Sequence, residues 1–397
     1  MPSTYNGGSP LAHDSGNGAT AGNNTIIHFY DRAGVKAANR VNLYGQFADS
    51  KQMPKKMGKT FKISKFLHLY DRALNDTDFA TKGFLTARSI SAITTDLDTG
   101  NGVALAEGAG AVNQVTLSKV TMETSLSRYG EMIDYTDEVE LFSEDSMQVR
   151  YREELGELAN SRQEDLIQRD MLATGNVMYG GDTASNMAGI DGTAGIDYDT
   201  IRLAVRALVR NRAKKNTSIV TGDVKVGTQP IAKAYYAIIG ANVKGDLETI
   251  TRGTGSTEEY AYVAAHKYAS AATLADGEVG AMHEVRFIES ESAVVYTGAG
   301  ASVTAASVAA APDASYTGTM DVDGKYDVFP ILFPTEGAFA TVGLKGQGKI
   351  KFNSKSPEKV ENSNPFGTTG FFSYNFFYAG IILQEEKLLK VLVSASR

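Results

Sequence analysis

Hydrophobic and polar positions change period several times along the chain, and each change predicts an element. Residues 1–24 are mostly Gly, Ser, Asn, Thr and Ala with almost nothing to bury, which predicts an extended arm. Ile26, Ile27, Phe29 and Tyr30 then supply apolar groups with which such an arm docks. Over 59–70, Phe61, Ile63, Leu67 and Leu69 oppose Lys62, Ser64 and His68 at period two, the pattern of a half-buried strand. Turn chemistry at Asp98, Thr99, Gly100, Asn101 and Gly102 makes 51–110 a long polar two-stranded excursion. A second alternating strand carries Val120, Met122, Thr124 and Leu126 and is expected to end at Tyr129 and Gly130.

The period then lengthens. Met147, Tyr151, Leu155, Leu158, Ala159, Leu166, Ile167 and Met171 recur at three- and four-residue spacing, which predicts one helix. Ser143 suits its N-cap, Glu144 and Asp145 place acid in the first turn, and Gly175 stands where a left-handed C-terminal residue is expected. Such a helix is roughly 45 Å long, a spine rather than an ordinary globular helix. Past a glycine-rich break, Asp199 is placed to cap a second helix carrying Ile201, Ala204, Val205, Leu208 and Val209. The apolar run 231–239 after Pro230 reads as a third, short helix. Strand-like pieces follow at 285–288, 294–296, 326–333, 339–344, 350–352, 371–383 and 388–393, and 299–315 reads as an exposed Ala, Ser, Gly and Thr tract. The class is α+β, with more strand than helix.

Composition narrows the chemistry. At 397 residues the chain is long enough for two or three lobes, and 42% hydrophobic residues suffice for a substantial core. Cysteine is absent, which removes disulfides, thiolate metal sites and cysteine nucleophiles. A net charge of -7 repels nucleic acid at long range, so a nucleic-acid reader is disfavoured. The longest apolar run, 371–383, is shorter than the roughly 20 residues of a membrane-spanning helix, and the first residues carry no secretory pattern. The expectation is a soluble chain made in the cytoplasm.

The candidate sites read as structural. Gly343, Gly348 and Lys349 have the spacing of a phosphate-binding loop, but Ile350 replaces the magnesium-binding hydroxyl and the context is strand, so a turn between strands is expected. Asp321, Asp323 and Asp327 surround Gly324, which comes too early for a calcium loop, and no closing Glu follows. Asp134, Asp137, Glu138 and Glu140 form the densest acidic group. With nothing nearby to raise one pKa, a solvated face or subunit contact is expected rather than an acid/base pair. His13, His28, His68, His266 and His283 are scattered without metal-ligand spacing, and no Gly-x-Ser-x-Gly elbow exists. Arg202, Arg206 and Arg210, with Arg212, Lys214 and Lys215 beyond, read as a solvated helix face that could also meet acid on a neighbouring subunit. No catalytic, cofactor-binding or metal site is assigned.

Several segments, taken in order, carry a resemblance. Leu105, Ala106, Glu107, Gly108; Arg128, Tyr129, Gly130, Glu131; and Tyr135, Thr136, Asp137, Glu138, Val139, Glu140 with Ser143, Glu144, Asp145 resemble the central signature of the major capsid proteins of the N-four-like phages (Schitoviridae). Glu154, Leu155, Gly156, Glu157, Leu158, Ala159 and Asp165 are similar to that family's long helix. Further similarity lies at Pro230, Ile231, Ala232 and Tyr235, at Gly245, Asp246 and Leu247, at Gly277, Glu278, Val279 and Gly280, at Val285, Arg286, Phe287, Ile288 and Glu289, and in 326–344 with Phe333, Ala338 and Phe339. The arm and 299–315 have no counterpart.

The resemblance implies the tailed-phage capsid fold of the Hong Kong type. Its parts would be an N-terminal arm (1–50), an extended hairpin loop (51–118), a peripheral domain with strand and spine helix (119–195), an axial domain (196–325) and return strands shared by both domains (326–397). It also implies a major capsid protein forming hexamers and pentamers of an icosahedral shell around double-stranded DNA, assembled in a bacterial cytoplasm. The implied partners are the chain itself, a portal, a separate scaffolding protein and a decoration protein, with no membrane and no sequence-specific DNA binding. The alternatives are an encapsulin-like compartment shell, a β-rich surface or glycan-binding module, which the absence of Trp disfavours, and last a carboxylate-dependent hydrolase around Asp134 and Asp137.

Overall fold

The computed structural model describes residues 43–66, 107, 119–142, 147–181, 184–220, 228–252, 259–268, 274–275, 277–303, 324–346, 350–360 and 364–395. The early elements are strands β1 (Asp49–Met53), β2 (Thr60–Phe66), β3 (Lys119–Ser125) and β4 (Ser127–Thr136), then helices α1 (Asp137–Phe142) and α2 (Met147–Leu172). The middle of the chain holds β5 (Val177–Tyr179), α3 (Tyr198–Arg210), β6 (Asn216–Val220), β7 (Thr228–Gly240) and α4 (Ala241–Thr249). Short strands β8 (Thr251–Arg252), β9 (Glu259–Tyr260) and β10 (Val263–Ala264) lead to β11 (Glu278–Met282) and β12 (Val285–Ser290). The last strands are β13 (Phe329–Phe333), β14 (Phe339–Leu344), β15 (Lys351–Lys355), β16 (Thr369–Ile382) and β17 (Leu389–Val393). The predicted α+β class is what forms.

Two sheets organise these elements. One runs β10-β11-β12-β7-β13-β17-β5, with β6 also on β7; the other runs β1-β14-β16-β15, with β4 also on β16. The reading of 231–239 as a helix is wrong, because β7 is a central strand of the first sheet. Tyr235, Ala237 and Ile239 enter the core under α3 and α4, whereas Tyr236 and Ile238 enter two other cores. A strand apolar on both faces shows no alternation, so its sequence is ambiguous with a buried helix. The helix forms next to it instead, at α4, where Val243 and Leu247 are buried.

The spine helix forms as α2, with 26 residues spanning about 39 Å. Leu155, Ala159, Ile167 and Met171 pack against Phe372, Tyr374, Phe376 and Tyr378, the even-numbered face of β16. Rings stack along that stripe: Tyr135 lies 5.2 Å from Phe372 and Tyr129 lies 5.9 Å from Phe376. Across the edge of this layer Arg162 Nε and Tyr374 Oη both donate to the Glu131 carboxylate, at 3.2 and 2.9 Å. Strands β2 and β3 pair antiparallel from Thr60↔Ser125 to Phe66↔Lys119, and Phe61 and Met122 close a small core with Met53, Leu126, Ala340 and Ile381.

Local expectations shift at the element ends. The strand predicted to stop at Tyr129 and Gly130 instead divides at Leu126, and its second part, β4, runs to Thr136, paired along ten residues of β16. Gly130 sits mid-strand because an added Cβ would overlap the Tyr374 carbonyl oxygen. Gly175 is not left-handed; its N–H donates to Glu385 Oε1 at 2.6 Å, and a Cβ there would push that carboxylate aside. The cap of α3 is Asp197, whose Oδ1 accepts from Thr200 N–H at 2.6 Å, while Asp199 lies in the first turn beside Arg202. Val209 on that helix is exposed. In 294–296 only Tyr296 pairs, in a single bridge to Val328. The arm residues 1–42, the cap residue Ser143 with Glu144 and Asp145, the turn at 98–102 and most of 299–315 lie outside the described residues.

Candidate functional site

Among the described residues, those flagged for chemistry do not converge. Gly343 lies inside β14, and Gly346 (φ +73°) turns the chain after it, while Gly348 and Lys349 lie outside the described residues. Asp327 is buried, its Oδ1 accepting from Gly298 N–H at 2.7 Å, which makes it a loop tie; Asp321 and Asp323 lie outside the described residues. Asp134 lies within β4 facing solvent, two residues before its end, and Asp137 opens α1, accepting from Glu138 N–H at 2.9 Å. The side chain of Glu140 lies outside the described residues. His283 packs edge-on against Tyr198, and His266 sits in a single turn at 265–267, while His13, His28 and His68 lie outside the described residues. Among the described residues no group of three His, Asp or Glu is placed to hold a metal ion. Two clefts have volumes of about 190 and about 210 Å³, below the several hundred Å³ usual for a small-molecule site.

The basic stripe splits into separate roles. Arg202 pairs with Asp199 at 3.0 Å, and Lys215 pairs with Glu284 at 2.6 Å while lying over the Tyr235 ring. Arg206 and Lys214 face solvent.

What the surface offers instead is apolar groups on ordered backbone. Met132 on β4 and Phe352 on β15 flank β16 at adjacent registers, Ser373 and Tyr374, and both are exposed. Leu141 on α1 is exposed as well, and Phe366 is 87% exposed. Phe366 is not on a slack loop: Asn364 accepts from Thr368 N–H at 3.0 Å, its Nδ2 donates to Thr369 O at 2.8 Å, and Gly367 turns at φ +67°. Phe366 is thus a large exposed ring on a hydrogen-bonded turn. Among the described residues β15 pairs on one side only, and its burial pattern is exposed throughout its first four positions, with Lys351 and Lys355 along it. Lysines on an edge strand discourage indiscriminate pairing. The β2–β3 ribbon carries exposed Phe66, Met57 is exposed in the connection just before β2, and Lys65 anchors the ribbon to Glu386 at 3.2 Å.

Beneath α2 lies a buried polar junction that periodicity did not flag. Glu164 and Gln168 share the apolar stripe, at three before Ile167 and three before Met171, and both are buried. A polar pair on stripe positions was the available signal. Glu164 accepts the N–H groups of Tyr44 and of Gly45, the latter at 3.2 Å. Gln168 accepts from Tyr44 Oη at 2.8 Å and Val294 N–H at 2.9 Å, and donates to Ser292 O at 3.1 Å. Burial pushes Glu164 up to about 7 against those two hydrogen bonds, and burial raises Tyr44 to about 12. Three parts of the chain meet here: residues 43–48, the spine helix and the segment after β12.

No protein-family model matches the chain. It is 28% identical over 378 residues, covering 93% of this chain and 92% of the other, to the "Major capsid protein" of Pseudomonas phage KPP21. Its fold matches the capsid of Ralstonia phage GP4 with a TM-score of 0.59 at 11% identity, over 94% of this chain and 96% of that one. The Cyanophage Pam1 capsid subunit follows with a TM-score of 0.55 at 10% identity, over 96% and 99%. The head structure of Helicobacter pylori bacteriophage KHP40 gives 0.53 at 10% identity, over 96% and 98%. These likenesses show the fold, which is that of tailed-phage capsid proteins.

Proposed function

We propose that this chain is the major capsid protein of an N-four-like tailed phage, self-assembling into hexamers and pentamers of an icosahedral shell around double-stranded DNA. The observation that carries the reading is the end-to-end correspondence with a capsid protein, 93% of one chain against 92% of the other, on a fold shared with solved phage capsids. A shared single domain would not extend over both whole chains. The surface fits the same reading, because exposed Met132, Leu141, Phe352 and Phe366 on ordered elements are suited to burial against copies of the chain.

The proposed domain plan follows the order of elements. Residues 1–50 form the arm, 51–118 the extended hairpin, 119–195 the peripheral strand and spine, 196–325 the axial domain, and 326–397 the return strands. Arm and hairpin reach neighbouring subunits, since neither buries enough surface alone. A net charge of -7 suits an inner wall that releases DNA on ejection. Portal, scaffolding and decoration proteins are the proposed partners, assembled in the host cytoplasm.

Electron microscopy of the protein co-expressed with its scaffolding protein tests the reading. Closed particles or regular six- and five-fold capsomers are expected. A monodisperse monomer under all assembly conditions would overturn it.

A further inference from the structure

The polar junction under α2 has a property that packing alone does not require. A carboxylic acid, Glu164, is buried on the spine helix with two backbone N–H groups of residues 44 and 45 aimed at it. Its own helix contributes Asp165, whose charge disfavours ionisation, and the docked segment contributes the Tyr44 hydroxyl. The segment after β12 presents Ser290, Ser292 and Val294, all uncharged, to Tyr44 and Gln168. No cation acts on Glu164 among the described residues. An ionised Glu164 is therefore held away from water by two N–H donors and no counter-charge.

The cover is the chain itself. Tyr44 is fully packed among Leu155, Ile167, Met171 and Leu388, and Leu43 and Phe47 close over Tyr236 and Ile288. Lifting residues 43–48 would expose Glu164 to water and return its carboxyl toward the ordinary range. Docking and proton binding at this carboxyl are then linked.

We propose that Glu164 is a proton-controlled latch, which in its protonated form clamps residues 43–48 to the spine helix and in its ionised form loosens them. The sign follows from the raised acid. Below the ordinary carboxylate range both docked and undocked states carry the proton, and docking is strongest. As pH rises toward about 7, only the docked state keeps the proton, and docking weakens by up to about tenfold per pH unit. Above that, docking stays at its weaker level. These residues directly follow 1–42, so the latch governs how firmly the root of the N-terminal segment is held. The inference concerns the folded chain and does not depend on the shell-forming reading.

Hydrogen exchange on the full-length protein between pH 5 and 8 tests it, with rates corrected for intrinsic exchange. The peptide containing Tyr44 and Gly45 is compared with a β13 peptide from the deep core as internal reference. The expected result is that protection of 44–45 relative to β13 falls by tenfold or more across this range. Glu164→Gln, which mimics the neutral acid, should flatten the dependence and keep protection high at pH 8. A flat wild-type ratio overturns the latch whether or not the variant folds. So does a folded Glu164→Gln protein that retains the wild-type slope, since another group would then carry the titration.

Discussion

At single positions, a few contacts decide what a residue costs to change. Asp197 caps α3 through Thr200 N–H, whereas Asp199 makes an exposed ion pair. Asp197→Ala should lower the stability measured by chemical denaturation by about 1 kcal/mol, and Asp199→Ala should leave the midpoint nearly unchanged. An equal effect of the two would contradict the cap assignment. Gly130 is similarly specific, since its missing Cβ makes room for the Tyr374 carbonyl. Gly130→Ala should destabilise by about 1–3 kcal/mol through a forced backbone shift, visible as a lower thermal midpoint. Neither role could be read from residue type, because Asp197 and Asp199 are equally good caps and glycine occurs 40 times in the chain.

Among elements, the contact between α2 and β16 bears most on shape. Phe376 is buried between Tyr129 and Tyr374 on the stripe that receives the helix. Phe376→Ala should cost about 3–5 kcal/mol, whereas Val209→Ala on the outer face of α3 should cost little. Both are checked by denaturant unfolding of the purified, unassembled chain. The helix α2 and strand β16 were legible because each has one buried face, so period and burial coincide, and β17, buried throughout, was legible as a short apolar run. Strand β7 was not, because both its faces are covered, by α3 and α4 on one side and by the α2 layer on the other.

For the whole molecule, the expected consequence is assembly through surfaces that stability measurements do not see. Phe366 is exposed on a built turn, so Phe366→Asp should leave the thermal midpoint of the free chain unchanged and sharply reduce closed particles in electron micrographs. Unchanged particle yield would remove this ring from the interface. Deleting residues 1–24 should likewise leave the folded chain intact and impair closed-shell formation. Intact shells from the truncated chain would dismiss the arm's role.

By itself the sequence determined the α+β class, the strand-then-spine order of 119–172 and the absence of cysteine chemistry, since local period, charge and composition reflect one-sided burial directly. It also carried enough ordered similarity to point to a capsid fold. Tertiary structure alone decided that 231–239 is a central strand, that Asp197 caps α3, that Gly175 yields to Glu385, and that Glu164 and Gln168 belong inside. The cap is a local choice between two neighbouring acids, whereas the other three depend on a group distant in sequence arriving at the same place. Glu164 shows the difference most clearly: on the helix it is one acid among many, and only the backbone of residues 44 and 45, 119 positions away in the case of Gly45, turns it into a buried and titratable contact.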